Sequence, residues 1–135
     1  MYFPIGGEIL ININSRSSKS IYQQIIDQIK ENILKGILKP GDKLPSIREM
    51  SSLLTVNPNT VSKAYQELER QKAIETLRGR GTYVSHNYEP KLDDDKLKFI
   101  KEDLRNLIVE ALYMGIDKEK FINILDDLYK DFERM

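Results

Sequence analysis

Cysteine is absent from the 135 residues and histidine occurs once. Without thiols there is no disulfide framework, no thiolate metal site and no cysteine nucleophile, a composition that fits a reducing compartment. A long apolar run is missing too. Met1 to Gly7 lacks a basic region followed by such a run, and the densest early apolar stretch is only Ile9 to Ile13, which excludes a signal peptide or membrane span on the sequence reading. A cytoplasmic location with no membrane partner is therefore expected. Net charge is also absent, with 21 Lys and Arg against 21 Asp and Glu. On its face that disfavours an anionic partner.

The zero conceals an asymmetry. Residues 1–90 carry 12 Lys and Arg against 9 Asp and Glu, or +3, whereas residues 91–135 carry 9 against 12, or −3. An anion-binding surface belongs in the first part. The apolar fraction of 40% and charged fraction of 31% are those of a globular protein with a packed core. At this length the chain supports one compact domain, or one small domain with an appendage, and leaves no room for a large catalytic domain.

Along the chain, Ile9, Ile11 and Ile13 alternate with Leu10, Asn12 and Asn14, the period of a short strand, and the residues before Ile9 read as a leader. From Ser20 the period lengthens. Ile21, Ile25, Ile29 and Ile33, with Tyr22, Ile26 and Leu34, form the apolar stripe of a helix ending near Gly36. Pro40-Gly41 marks a turn, and Ser46 with Glu49 has the offset of a capping box opening a short helix over about 47–54. Asn57-Pro58 then pairs an N-cap with the residue favoured at the first helical position, and opens a third helix running to about Gln71. A short helix, a tight turn and a longer helix outline a helix-turn-helix. Val61, Ala64, Tyr65 and Leu68 give the longer helix its inward stripe, leaving Asn59, Thr60, Ser62 and Lys63 on its other faces.

Ile74 to Leu77 and Thr82 to Val84 read as strands around Arg78-Gly79-Arg80-Gly81, a hairpin wing with two cations at its tip. The polar stretch from Asn87 to Asp95 contains Pro90 and serves as a linker. The expected domains are therefore a leader and short strand over 1–19, a winged helix-turn-helix over 20–88 and a two-helix tail over 89–135. In the tail, Leu97, Ile100, Leu104, Leu107, Ile108, Ala111 and Leu112 recur at helical spacing up to Gly115. After Asp117, expected as an N-cap, Phe121, Ile124, Leu125, Leu128, Tyr129 and Phe132 form a second stripe. Two such helices joined by a short link make a hairpin that covers only part of its apolar surface, so a second copy of the chain is expected as partner. The residues expected in that homodimer contact are Leu104, Leu107, Ile108, Ala111, Leu112, Phe121, Ile124, Leu125, Leu128 and Phe132. The fold class is mainly α with a small β wing.

Duplex recognition needs cations for phosphates and short hydrogen-bonding side chains at a helix start. Arg48, Asn59, Thr60, Ser62 and Lys63 are assigned to the groove and adjoining backbone, Lys43, Ser46 and Asn57 to phosphates, and Arg78, Gly79 and Arg80 to the minor groove or its backbone. Singly, each has a plainer explanation: Ser46 and Asn57 as helix caps, the cations as solvated surface. Their order along the chain is what points to DNA.

Three stretches carry a resemblance: Leu44-Pro-Ser-Ile-Arg-Glu-Met-Ser-Ser-Leu-Leu, Val56-Asn-Pro-Asn-Thr-Val-Ser-Lys-Ala-Tyr-Gln-Glu-Leu-Glu and Arg78-Gly-Arg-Gly-Thr-Tyr-Val. With Ile21-Tyr-Gln-Gln-Ile and Lys35-Gly-Ile-Leu-Lys-Pro-Gly-Asp-Lys-Leu-Pro before them, they resemble the GntR-type winged helix-turn-helix over residues 20 to 86. The resemblance implies that Arg48 reads a base, that Asn57, Asn59, Thr60 and Ser62 open the recognition helix, and that Arg78 and Gly79 form the working wing. Where the family usually has glycine after the recognition helix, this chain has Gln71-Lys72-Ala73. The 45 residues beyond the wing are too few for a large effector or aminotransferase-like domain. They resemble the tail of the YtrA-type subfamily, which implies a homodimeric repressor of a small, transport-related operon acting on a pseudo-palindromic duplex.

Two other functions remain in view at this level. A winged helix can serve protein association without binding DNA, because fold does not settle function. An enzyme is disfavoured. His86, the one histidine, lies just past the wing, and Asp93 to Asp95 reads as a solvated helix start. Gly79 and Gly81 lack the setting of a phosphate-binding loop. No metal or other cofactor is expected.

Overall fold

The computed structural model describes residues 2–5 and 9–133, and the chain divides into two compact units, Met1–Tyr88 and Glu89–Met135. The first unit opens with an antiparallel pair, β1 (Tyr2–Ile5) and β2 (Ile9–Asn12), in which Tyr2 lies opposite Asn12 and Ile5 opposite Ile9. The expected leader thus contains a strand, and the second strand stops one residue before Ile13. Ile11 of β2 is fully buried.

Helix α1 (Ile21–Leu34) starts at Ser20, whose hydroxyl accepts the Gln23 N–H, and ends where Gly36 takes a φ of +73°. There the Ile37 N–H donates back to the Asn32 carbonyl at 2.9 Å, closing a Schellman motif. Its buried residues Ile25, Ile26 and Ile29 face the core, while Leu34, expected on the same stripe, is 62% exposed. At 3.6 residues per turn Leu34 is rotated by roughly 130° from the centre of the buried stripe, so the core leaves it behind.

Two glutamines fasten the opening hairpin to this helix. The Gln28 side-chain amide donates to the Asn12 carbonyl and its Oε1 accepts the Asn12 N–H, both at 2.6 Å. Gln24 repeats the exchange with Asn14, at 2.9 and 2.8 Å. Residues 12 and 14 present their backbone groups to one side, and side chains one helical turn apart meet them.

A two-residue strand β3 (Lys43–Leu44), invisible to periodicity, leads into α2 (Ile47–Leu54) and α3 (Pro58–Arg70). Strands β4 (Ile74–Leu77) and β5 (Gly81–Val84) form the wing, and β3 adds to it in the order β3-β5-β4, all antiparallel. One core unites these elements. Met50 and Leu54 of α2, Val61, Ala64, Tyr65 and Leu68 of α3, and Leu44, Ile74 and Val84 of the sheet meet the isoleucines of α1. Each of the larger aliphatic side chains among them contributes about 1.5–3 kcal/mol through burial, which fixes the orientation of α3.

The second unit holds α4 (Asp94–Tyr113), α5 (Lys118–Tyr129) and a short 3-10 turn (Lys130–Phe132). Asp93 caps α4 by accepting the Asp95 and Lys96 N–H groups, and Asp117 caps α5 by accepting that of Lys120. Between them Gly115, at φ +85°, lets the Ile116 N–H reach the Ala111 carbonyl at 2.8 Å. No described helix is long and apolar enough to cross a membrane.

Candidate nucleic-acid interface

The surface expected from the sequence to meet DNA is built from the start of α2. Ser46 Oγ accepts the Glu49 N–H and the Glu49 carboxylate accepts the Ser46 N–H, each at 3.1 Å, so the expected capping box is present. The Ser46 backbone and then its hydroxyl, with help from the Lys43 charge, hold the Glu49 carboxyl below its ordinary range. Ser46 keeps its hydroxyl hydrogen for another acceptor, because its oxygen is the acceptor in the cap. Arg48 extends from the first turn into solvent.

The turn into α3 is held from below. Thr55 closes α2 with φ 54° and ψ 51°, a left-handed conformation that is uncommon for a β-branched residue. Buried Ser51 donates its hydroxyl to the Val56 carbonyl at 2.5 Å and accepts the Val56 N–H through its own carbonyl at 3.1 Å. Tyr65 of α3 donates its hydroxyl to the Pro45 carbonyl at 2.7 Å, tying α3 to the segment that starts α2. Burial pushes this phenol well above its usual value.

Asn57 Oδ1 accepts the Asn59 N–H at 2.8 Å, and Pro58 follows as the first helical residue. The four residues expected inward, Val61, Ala64, Tyr65 and Leu68, are all buried. Directly opposite them, by 100° per residue, run Asn59, Lys63, Gln66 and Arg70, all exposed; Thr60 and Ser62 lie on the flanks and are half-buried. Gln66 was not singled out from the sequence, although its spacing from Asn59 and Lys63 places it on the same line; its side chain donates to Ser62 Oγ at 3.2 Å. Arg70 is engaged by Glu67 through two contacts of 2.9 and 2.6 Å.

In the wing, the Arg80 N–H donates to the Leu77 carbonyl at 2.9 Å, and Gly79 at φ +80° supplies the positive angle this turn requires. Arg78 and Arg80 are exposed on either side of it. The Tyr83 hydroxyl donates to the Arg80 carbonyl at 2.9 Å and braces the tip. Lys43 belongs to this surface as well, because its side chain lies over Gly81, where an added Cβ would stand 3.0 Å from Lys43 Cε. Among the described residues, Lys43, Arg48, Lys63, Arg78 and Arg80 form no ion pair, so five positive charges face outward, Lys43 also lending its charge to Glu49. All belong to the first unit, as do Ser46, Asn57, Asn59, Thr60, Ser62 and Gly79.

The unusual Gln71-Lys72-Ala73 segment resolves without glycine. Lys72 itself takes the left-handed position, at φ 63°, and the Ala73 N–H closes the motif on the Leu68 carbonyl at 2.9 Å. The path into β4 is therefore an ordinary helix end with a strained residue. His86 packs over Gly41, where a Cβ would stand 2.5 Å from its Cε1, and is exposed rather than set among other reactive groups. No cluster of metal-ligating side chains occurs among the described residues.

The tail presents most of the residues expected at a contact between copies. Leu104, Leu107, Ile108, Leu112, Ile124, Leu128 and Phe132 are exposed, Phe121 and Leu125 are half-buried, and Ala111 is buried inside its own unit. Ala111 is thus taken up by the helix end at Gly115 and has little surface left to offer. Phe99, Val109 and Tyr113 are exposed on the opposite side of α4, apolar positions outside the stripe read from the sequence.

Comparison with known proteins agrees with this geometry. Residues 21–84 match the model of the bacterial regulatory proteins of the gntR family. The chain is 54% identical over 122 residues to the HTH-type transcriptional repressor YtrA of Bacillus subtilis, covering 90% of this chain and 94% of that protein. A crystal structure from Listeria monocytogenes EGD-e, described as a transcriptional antiterminator, shares 40% identity and superposes with a TM-score of 0.80 over 93% of both chains. YtrA from Sulfolobus acidocaldarius, a GntR-family transcription factor, shares 38% identity with a TM-score of 0.52 over 90% of this chain and 97% of its own. An outward polar helix start, a cationic wing and these similarities lead to one conclusion: the chain belongs to the GntR family of DNA-binding transcriptional regulators, with relatives of the YtrA type, and not to an enzyme family.

Proposed function

We propose that the protein is a cytoplasmic homodimeric repressor of a small operon, in which each copy lays α3 in a major groove and sets its wing along the adjoining minor groove or its backbone. Arg48 reads a base, Asn59, Thr60, Ser62 and Lys63 work in and beside the groove, and Lys43, Ser46 and Asn57 meet phosphates. Arg78, Gly79 and Arg80 form the wing contact. The observation that carries this reading is the set of five exposed cations in no ion pair around an α3 whose inner face is wholly buried. Repression is the role named for the Bacillus subtilis relative, and near-complete coverage of that protein supports extending it here.

The tail supplies the second copy. Its exposed apolar residues exceed what two helices cover alone, and isologous pairing would hide them. A twofold dimer then reads a pseudo-palindrome with half-sites about 34 Å, or a multiple of that, apart. Selection of bound duplexes from a random pool tests this reading. Enrichment of an inverted repeat with fixed spacing is the expected result, and recovery of no common sequence would overturn it in favour of a winged helix used for protein association.

A further inference from the structure

A trough of about 600 Å³ is lined by Tyr22 of α1 and by Thr60, Lys63, Gln66, Glu67 and Arg70 of α3. Its two ends differ in chemistry. Toward the end of α3, Glu67 is occupied by Arg70 and by the side-chain amide of Gln71, so that charge is cancelled there. Toward the start of α3 stand the Thr60 hydroxyl and the Lys63 ammonium, which forms no ion pair, and α1 contributes Tyr22 to the same lining.

Tyr22 differs from the other tyrosines packed in this unit. The hydroxyls of Tyr65 and Tyr83 donate to backbone carbonyls of the same chain. The Tyr22 ring packs against the core, yet its hydroxyl has no hydrogen-bond partner among the described residues. A phenol whose ring is fixed by packing and whose donor has no partner among the described residues loses little rotamer freedom when it binds an acceptor. The acceptor that suits a hydroxyl, a second hydroxyl and an ammonium is a phosphate oxygen.

We infer that Tyr22 is a further DNA-positioning residue, its hydroxyl donating to a backbone phosphate of the strand that borders the groove occupied by α3, with Thr60 and Lys63 completing the seat. The inference rests on the reading that α3 enters the groove. It makes α1 part of the DNA-facing surface and gives the protein a contact that sets register without reading sequence.

The test uses the full chain, its Tyr22→Phe and Arg48→Ala variants, the best duplex from the random-pool selection and an unrelated duplex. Tyr22→Phe keeps the packed ring and removes only the donor. It is expected to weaken both duplexes by the same factor, about 3- to 10-fold, with an unchanged salt slope because a hydroxyl displaces no counterion. Ethylation interference should show one flanking phosphate whose modification hinders the wild type and not Tyr22→Phe. Wild-type affinity and an unchanged interference pattern in Tyr22→Phe, beside a loss of specific binding in Arg48→Ala, would overturn the inference and leave the groove reading standing. If Arg48→Ala also binds as wild type, the groove reading falls with it. A loss confined to the selected duplex would overturn the phosphate assignment.

Discussion

At the scale of single residues, the surface separates groups that can distinguish bases from groups that can only attract DNA. Arg48 carries a planar fork able to meet two acceptors of one base, so Arg48→Ala should weaken binding to the selected duplex by about 1–3 kcal/mol and relax a single position in the site. Lys63→Ala should instead weaken all duplexes alike and lower the salt slope by about 1, since an ammonium acts on phosphate as a point charge. Isotherms at two salt concentrations separate the two, and identical profiles for both variants would refute the division of roles. Tyr65 acts from beneath. Tyr65→Phe leaves the Pro45 carbonyl without its donor and should cost about 1 kcal/mol of stability, read from urea unfolding.

At the scale of elements, two helix ends store strain, one of them foreshadowed by the missing glycine near Lys72. Thr55 and Lys72 both sit in the left-handed region, which costs an L-residue about 1–2 kcal/mol relative to glycine's freedom there. Thr55→Gly and Lys72→Gly should each raise the unfolding midpoint, Thr55→Gly more because threonine is β-branched. A lower midpoint in either would show that the side chain contributes contacts outweighing its strain. The capping box of α2 adds a pH dependence. Because the folded Glu49 carboxyl lies below its ordinary value of about 4.3, the support it gives is present above that pH and is lost as pH falls through the folded value. Ser46→Ala should cost about 1 kcal/mol near neutrality and flatten stability against pH in that acid range.

The same elements tell what a sequence can disclose. Ser46 with Glu49, Asn57 with Pro58, and Asp117 are signals confined to one helical turn, and each was legible because a cap is local chemistry. The inward stripe of α3 was legible for the same reason. β3 was not, because two residues have no period and pair only with β5, almost forty positions away. β1 was hidden behind Pro4 and the glycines that follow it, which read as loop until the register with β2 is known. Tyr22 was read only as part of the α1 stripe, because the trough it shares with Thr60, Lys63 and Gln66 of α3 is fixed by packing between the two helices.

At the scale of the whole molecule, the tail is the element whose surface is least explained by a single chain. Leu107 and Leu128 are 52% and 56% exposed, so a charge at either place meets solvent rather than core. Leu107→Glu combined with Leu128→Glu should therefore leave the fold intact and abolish self-association, measured by sedimentation. Affinity for a two-half-site duplex should fall by about 10²- to 10⁴-fold while affinity for one half-site changes little, because linkage of the two reading heads is what multiplies their separate affinities. A variant that stays dimeric would assign the contact elsewhere, with Phe99, Val109 and Tyr113 the next residues to alter.

The pairing of Gln24 and Gln28 with the backbone of Asn14 and Asn12 gives the DNA-reading unit a starting point earlier than its family-matched segment, which begins at residue 21. A shortened chain beginning at Ser20 would leave two carboxamides facing emptied positions and a hole where Ile11 had been. Such a fragment should melt well below the intact unit even though every residue assigned to DNA is still in it. What looks like a dispensable preface is, in mechanical terms, the back plate against which the first helix is bolted.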